Sequence, residues 1–242
     1  MKVIIIAGGK GTRIMEETMA KPKPMVEIAG KPILWHIMNI FSVQGFHDFL
    51  ISTGYLHEVI ENWIGNEDNM VDSCGNKLNV ISIFTGEDTQ TGGRIGEVMK
   101  KYPGEKFLAT YGDGLANVSI KNLIEFHESN SRLATVTAVR PPARFGYMQI
   151  NDGAVSHFGE KNQADEGWIN GGFFVLEPEV LSYINSPIEP FESGALTKLA
   201  QKSQLTAYQH FGFWQPMDTL REKIELEKIA TSNNITWLDL IS

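Results

Sequence analysis

Basic side chains cluster shortly after the first apolar run of the chain, beside a glycine-dense turn. The apolar residues 3–6 are followed by Gly8-Gly9-Lys10-Gly11, then by Arg13, and then by Lys21 and Lys23, each of which precedes a proline. Glycines at the end of a strand let backbone N–H groups approach phosphate oxygens, because no Cβ stands in the way. Arginine can bind two phosphate oxygens at once, and the prolines keep the lysines in extended backbone. This pattern indicates a triphosphate site.

Two common phosphate-binding motifs do not fit this segment. It lacks the Gly-Lys-Ser/Thr of a P-loop, and Ile14 stands where the third glycine of a dinucleotide fingerprint belongs. Taken alone, the glycines are also typical of a turn after a buried strand. The two lysines, taken alone, are also typical of a solvated charged stretch. The combination of glycine turn, arginine and proline-flanked lysines favours the triphosphate interpretation.

Two aspartates are candidate metal ligands. Asp113 follows a predicted strand within Tyr111-Gly112-Asp113-Gly114, and Asp218 stands at the start of the last predicted helix. Carboxylates and phosphate oxygens are the hard ligands that Mg²⁺ prefers. Each aspartate also has a purely structural interpretation, Asp113 as a turn residue and Asp218 as a helix N-cap.

A third group of polar residues lies around a predicted strand in the second half of the chain. Glu160 can accept hydrogen bonds from hydroxyl groups, Lys161 can pair with a phosphate, and Asn170 can orient a hydroxyl. The alternative for Glu160 and Lys161 is an ordinary surface ion pair. The neighbouring aromatic residues Trp168, Phe173 and Phe174 are expected in the core.

The elements that must position these residues alternate in the first half of the chain. Short apolar runs predict strands, and apolar residues at helical spacing predict helices between them. Such alternation predicts a mostly parallel sheet with helices on both faces. The predicted strands are residues 3–6, 46–53, 79–84, 106–111 and 133–139, and the predicted helices are 33–41, 56–64, 96–101 and 119–129.

The second half predicts a mixed or antiparallel extension of the same sheet. Short runs separated by glycine and polar turns predict strands at 147–150, 154–158 and 168–176, followed by helices at 192–201 and 217–230. No Pro/Gly/Ser-rich linker or repeat divides the chain. The prediction is therefore one Rossmann-like α/β domain over residues 1–242.

Composition excludes several classes of partner. The 242 residues are 42% hydrophobic and 21% charged, with a formal net charge of −8, so nucleic acid is not an expected partner. One cysteine, Cys74, permits neither an internal disulfide nor a thiolate metal cluster. No apolar run approaches the ~20 residues of a membrane span and no signal-peptide pattern precedes the first strand. Neither a membrane partner nor export is expected, and the expected compartment is the cytoplasm.

Taken in order, the motifs resemble those of the glucose-1-phosphate cytidylyltransferases, a group of sugar nucleotidyltransferases. The resemblance extends over nearly the whole chain and rests on GGKGTR, KPKPM, TGGR, YGDG, PPARFG, GEK, INGGFFV and FWQPMDTLRE. It implies transfer of a cytidylyl group from CTP to a sugar 1-phosphate, with Mg²⁺ as the cofactor and pyrophosphate as the second product. The acceptor phosphate is already ionised at neutral pH, so positioning and charge neutralisation suffice without a general base.

The resemblance also assigns roles to individual residues. Arg13 and Lys23 are the expected catalytic cations, and Asp113 and Asp218 the expected magnesium ligands. The expected nucleotide-binding residues, besides those two cations, are Ile6, Ala7, Gly8, Gly9, Gly11, Thr12, Thr91, Gly92, Arg94 and Gly112. The expected sugar-phosphate-binding residues are Tyr111, Gly146, Glu160, Lys161, Asn170 and Gly171. A homo-oligomer is expected as well.

Two departures from the family pattern keep alternatives open. The chain is shorter than typical members before Thr91, and Ala143 stands where the family usually has glycine. A different phosphorylated acceptor therefore remains an alternative to glucose 1-phosphate. UTP or dTTP remains an alternative to CTP, because backbone groups choose the base. A non-catalytic nucleotide-sugar sensor on the same fold is the alternative from another class.

Overall fold

The computed structural model describes residues 1–141, 146–160, 167–231 and 236–238. In these ranges the strands are β1 Lys2–Ile6, β2 Glu27–Ile28, β3 Lys31–Pro32, β4 Asp48–Thr53, β5 Asn79–Phe84, β6 Phe107–Tyr111, β7 Gly114–Ala116, β8 Ala134–Val139, β9 Gly146–Asn151, β10 Ala154–Glu160, β11 Ile169–Leu176, β12 Leu205–Gln209 and β13 Trp214–Pro216. The α-helices are α1 Met15–Thr18, α2 Ile33–Ser42, α3 His57–Ile64, α4 Thr91–Lys101, α5 Ile120–Asn130, α6 Thr197–Gln201 and α7 Leu220–Ala230.

Seven of these strands form the central sheet, in the order β12-β8-β11-β6-β1-β4-β5. β1 pairs in parallel with β4 on one side and with β6 on the other, and β4 continues in parallel to β5. β11 runs antiparallel to both β6 and β8, while β12 is parallel to β8. The mostly parallel sheet with a mixed extension is therefore confirmed.

Helices cover both faces of this sheet, and its inner strand β1 is apolar on both sides. In β1, Val3 and Ile5 pack into one core cluster with residues of α2, whereas Ile4 and Ile6 pack into a second cluster with residues of α4. A strand that is buried on both faces has a continuous apolar sequence rather than an alternating one. The run of residues 3–6 is such a sequence.

Several predicted boundaries were wrong in informative ways. Helix α4 begins at Thr91 rather than at residue 96, even though glycine is a poor helix former. The glycines are required by packing, since a Cβ at Gly93 would lie 2.2 Å from the carbonyl oxygen of Pro187. The predicted helix 192–201 is a π-helical turn, Glu192–Leu196, that leads into α6. Helix α7 begins at Leu220 rather than at residue 217, and its N-cap is Thr219, not Asp218.

The second half also contains strands that the sequence did not indicate. β12 adds a parallel edge to the sheet beside β8, and β13 pairs antiparallel with β7 in a separate two-stranded ribbon. Strands β9 and β10 pair with each other in a hairpin. Of the three aromatic residues expected in the core, Phe173 and Phe174 are buried, whereas Trp168 is only partly buried, with Arg140 over its ring. In the described part of the chain, every helix is too short or too polar to cross a bilayer.

Candidate functional site

A cleft of about 540 Å³ opens where β1 and β6 end. These neighbouring parallel strands lead away from each other, β1 into the glycine turn and β6 into the segment that contains Gly112 and Asp113. In open α/β sheets, ligands bind at the carboxyl ends of such strands, where the strand order reverses. The fold therefore places the candidate site at its expected edge.

Most of the residues predicted to bind nucleotide line this cleft. They are Ile6, Ala7, Gly8, Gly9, Gly11, Thr12, Arg13, Lys23, Thr91, Arg94 and Gly112, and Tyr111 and Asp113 line it too. Gly92 is the exception among the nucleotide residues. A Cβ at Gly92 would lie 2.6 Å from the carbonyl oxygen of Glu189, so the absence of a side chain lets helix α4 pack closely against that backbone.

Lys23 lies between the two predicted metal ligands. Its Nζ donates to Asp113 Oδ2 at 2.7 Å and to Asp218 Oδ1 at 2.6 Å. Arg13 Nη1 donates to the other oxygen of Asp218, Oδ2, also at 2.7 Å. Lys21, by contrast, pairs within the described residues only with Glu27, at 4.0 Å, which fits the solvated interpretation for that lysine alone.

The two aspartates keep Lys23 protonated in spite of its burial. Only 10% of its side chain is exposed, and burial by itself would lower the pKa of the ammonium group. Attraction by Asp113 and Asp218, and the hydrogen bonds to them, outweigh the burial and raise the pKa above its ordinary value. The cleft thus contains a fixed positive charge beside two carboxylates at neutral pH.

The two aspartates meet because of the ribbon of β7 and β13. Asp113 directly precedes β7, and Pro216, the last residue of β13, pairs with Gly114, the first residue of β7. The ladder ends with a hydrogen bond of 2.8 Å from the backbone N–H of Met217 to the carbonyl oxygen of Asp113. Asp218 is the next residue, so its carboxylate is brought to the same end of the ribbon.

This pair of carboxylates fits a divalent cation. One oxygen of each aspartate already lies within hydrogen-bonding distance of a single cationic nitrogen, Lys23 Nζ. Mg²⁺ is typically held by one or two carboxylates together with substrate phosphates and waters. No group of three or more His, Cys, Asp or Glu side chains suited to a metal occurs in the described ranges. A divalent cation held by these two carboxylates would take its remaining ligands from phosphate oxygens and water.

Arg94 is a structural clamp under the glycine turn. The residue is buried, and its guanidinium group donates to the carbonyl oxygens of Gly8 and Thr53 at 2.9 Å. It also donates to the carbonyl oxygens of Gly86 and Glu87. A Cβ at Gly8 would lie 2.1 Å from Arg94 Nη1, so a side chain at position 8 would displace this guanidinium group. Arg94 thereby fixes the backbone of two loops that line the cleft.

Glu192 is a polar residue of the site that the sequence analysis missed. Its Oε2 accepts from Thr91 Oγ1 at 2.8 Å, and its Oε1 accepts from the hydroxyl of Tyr111. Asn170 Nδ2 donates to the same hydroxyl oxygen at 2.9 Å. Burial, and then the negative charge of Glu192, raise the pKa of Tyr111. Glu192 lies on a π-helical turn, a feature often found at functional sites, but π-helical turns have no clear sequence signal.

The residues predicted to bind the sugar phosphate are only partly brought together. Tyr111 and Asn170 are hydrogen-bonded to each other. Gly171 packs against Val139 and, in the described structure, does not line the cleft. Gly146 and Glu160 are partners in the ladder of the β9/β10 hairpin. Lys161 and Ala143 lie outside the described residues.

The fold and this cleft together define a class, the nucleotidyltransferases. The model of the protein family described as nucleotidyl transferase matches residues 2–240, and the chain belongs to this family. Among curated relatives, the glucose-1-phosphate cytidylyltransferase of Salmonella typhimurium is 45% identical over 253 residues, which cover 98% of each chain. The resemblance inferred from the motifs is thereby confirmed.

Solved structures agree with this fold. The HddC protein of Yersinia pseudotuberculosis, solved with GMP-PN, is 26% identical and superposes with a TM-score of 0.71, covering 95% of this chain and 99% of that one. A UDP-glucose pyrophosphorylase solved with UDP-glucose gives a TM-score of 0.70 at 19% identity, covering 95% of this chain and 97% of that one. The second likeness concerns the fold alone.

Proposed function

We propose that the protein transfers a cytidylyl group from CTP to a sugar 1-phosphate, with glucose 1-phosphate as the acceptor, and that residues 1–242 act as one catalytic domain. The observation that carries the proposal is the position of Lys23 between Asp113 and Asp218, beside the glycine turn. Cations and carboxylates at one strand edge suit phosphoryl chemistry. The choice of CTP and of glucose 1-phosphate is supported by the name of the Salmonella relative.

In this reaction an oxygen of the acceptor phosphate attacks the α-phosphorus of CTP. A new P–O bond forms, the bond from the α-phosphorus to the bridging oxygen breaks, and pyrophosphate leaves with the electron pair. Lys23 is protonated and buried, so its charge is available to the α-phosphate throughout. Arg13 has 73% of its side chain exposed, and exposed ion pairs are weak, so it can exchange Asp218 for a phosphate of the nucleotide.

Asp113 and Asp218 would hold the magnesium ion that accompanies the nucleotide. The bound ion would offset negative charge on the phosphates. The two carboxylates are fixed to each other through the β7/β13 ribbon. Their contribution is therefore a preformed pair of oxygen ligands rather than a proton transfer.

Pyrophosphate release tests whether the protein is an enzyme or a binding protein. With CTP, glucose 1-phosphate and Mg²⁺ we expect continuous release, and none when any one component is omitted. The matched control is Lys23→Ala, which keeps the chain length and the loop while it removes the central ammonium group. Binding of CTP without release in the complete mixture would support a non-catalytic sensor and contradict the proposal.

Assembly and compartment belong to the proposal as well. We propose a homo-oligomer on the basis of the family resemblance, and the cytoplasm as the compartment expected from the sequence. Light scattering at high protein concentration tests the first, and a monomeric mass there would contradict it. Fractionation of cells that produce the full chain tests the second, with the protein expected beside cytoplasmic markers.

A further inference from the structure

A buried carboxylate holds the backbone of Asp218. Glu222, in the first turn of α7, is 5% exposed. Its Oε2 accepts from the backbone N–H of Asp218 at 2.7 Å and from that of Thr219 at 2.9 Å. A carboxylate with so little exposure is costly unless it is hydrogen-bonded, and these two bonds meet that requirement.

The bond from the backbone N–H of Asp218 to Glu222 is not needed to cap the helix. Thr219 Oγ1 accepts from the backbone N–H of Glu222, and Glu222 accepts from the backbone N–H of Thr219, which completes a capping box. The bond to Asp218 lies one residue outside that box. It fixes Asp218, the residue before the N-cap, which carries the carboxylate of the site.

This bond does not depend on the cations that contact the side chain of Asp218. That side chain pairs with Arg13 and Lys23, and both cations are assigned to phosphates in the reaction. When those cations turn to a bound nucleotide, the backbone bonds near Asp218 still help to keep the carboxylate in place. The preceding residue, Met217, is tied to Asp113, and Glu222 ties Asp218 itself to α7.

We propose that Glu222 is a positioning residue that aims the Asp218 carboxylate at the divalent cation accompanying the nucleotide. The inference rests on the proposed function, since it takes Asp218 as a metal ligand. Groups that orient metal ligands typically change metal affinity by about 10- to 100-fold when they are removed. Glu222 acts through a neutral N–H donor, so the acceptor oxygen matters more than the charge.

The test measures binding of Mn²⁺ to the full chain in the presence of CTP, without acceptor, by electron paramagnetic resonance. In Glu222→Ala we expect the dissociation constant for Mn²⁺ to rise about tenfold. Glu222→Gln keeps an acceptor oxygen and is expected to stay close to the wild type. The matched control is Ser119→Ala, which removes the N-cap of the remote helix α5, where Ser119 Oγ accepts from Asn122 N. It is expected to lower the melting temperature and leave Mn²⁺ affinity unchanged.

Three results would overturn the inference, and they separate it from the proposed function. Mn²⁺ binding that is normal in Glu222→Ala but lost in Asp218→Asn would remove the positioning role alone. A Glu222→Gln protein as weak as Glu222→Ala would do the same, because charge rather than the hydrogen bond would then matter. Undiminished binding in Asp218→Asn would refute the metal assignment and this inference together. If Glu222→Ala does not fold, Glu222→Asp, whose carboxylate is one methylene shorter, carries the same expectation.

Discussion

The backbone N–H of Met217 donates a 2.8 Å hydrogen bond to the backbone carbonyl of Asp113. This bond extends the ladder between β7 and β13, two short strands far apart in the sequence. It makes Asp113 and Asp218 neighbours through rigid backbone rather than through flexible side chains. Two oxygen ligands that are held in this way need little reorganisation when a cation binds.

Asp113→Asn and Asp218→Asn test the role of the carboxylate pair. Each amide keeps the volume of the side chain but weakens a ligand of the divalent cation, so we expect turnover to fall at least roughly 100-fold. The measurement is turnover as a function of Mg²⁺ concentration, with melting temperatures to show that both proteins fold. Glu125→Gln on the exposed face of α5 is the control. Near-normal rates at limiting Mg²⁺ in both variants would refute the metal site.

Lys23→Ala and Lys161→Ala are expected to differ in kinetic signature. Loss of Lys23 removes a charge assigned to the reacting α-phosphate, so kcat should fall about 100-fold or more. Loss of Lys161, assigned to the acceptor phosphate by family resemblance, should raise the KM for the sugar phosphate about tenfold. Steady-state kinetics with each substrate varied in turn make the comparison. Identical effects of both substitutions on both substrates would show that the division of roles is wrong.

Gly93→Ala tests the packing that determines where α4 begins. The new Cβ would lie 2.2 Å from the carbonyl oxygen of Pro187, and backbone cannot move aside as a side chain can. We expect the free energy of unfolding to fall by about 3 kcal/mol, measured by urea denaturation. Gly96→Ala in the same helix is the matched control, since the nearest atom to its Cβ would be Ile184 Cγ2, a side-chain atom 3.1 Å away. Equal losses in both variants would contradict the packing argument.

Buried histidines should make the protein less stable in mild acid. Burial lowers the pKa of His36 below its ordinary value of 6.5, and it does the same for His210. His36 Nε2 donates to the carbonyl of Ile28, and in the described structure its Nδ1 has no partner, so a second proton there would be unsatisfied.

The sign follows from proton uptake. Below pH 6.5 the unfolded chain binds more protons than the folded protein, so the free energy of unfolding must decrease as the pH falls. The slope is at most about 1.4 kcal/mol per pH unit for each imidazole. Urea denaturation at about pH 7.5 and about pH 5.5 measures it. In His36→Gln, which retains a donor but does not titrate, the slope should be smaller, and an unchanged slope would exclude His36 as a source.

The sequence was most informative where a signal is local. Adjacent residues were enough to predict the apolar run of β1, the glycine turn after it and the position of Asp113 after β6. The turn and Asp113 lie at the carboxyl ends of these strands, as predicted. The metal pair could be proposed from residue type, but its contact with Lys23 depends on the pairing of β7 with β13. No local pattern indicates that pairing.

The other structural features that the sequence analysis did not predict have the same physical origin. Glycines at the start of α4 predict a loop by propensity, whereas the close approach of Pro187 and Glu189 shows why glycines stand within this helix. Glu192 reaches Thr91 and Tyr111 through a turn whose geometry is set by tertiary packing. Such residues join elements that are distant in sequence, so a single chain read without its fold does not reveal them.

A substrate matrix tests the central claim most directly. The wild-type protein is incubated with Mg²⁺ and each of CTP, UTP, dTTP, ATP and GTP against several sugar 1-phosphates, and kcat/KM is obtained from pyrophosphate release. Sites built around a substrate hydrogen-bonding group can reject an analogue lacking it by about 10⁴-fold, so the correct pair should be clearly preferred. We predict that CTP with glucose 1-phosphate gives the highest kcat/KM. A higher value for UTP or dTTP, or for CTP with a different acceptor, would contradict the proposed specificity, and absence of release from every pair would contradict the proposed activity.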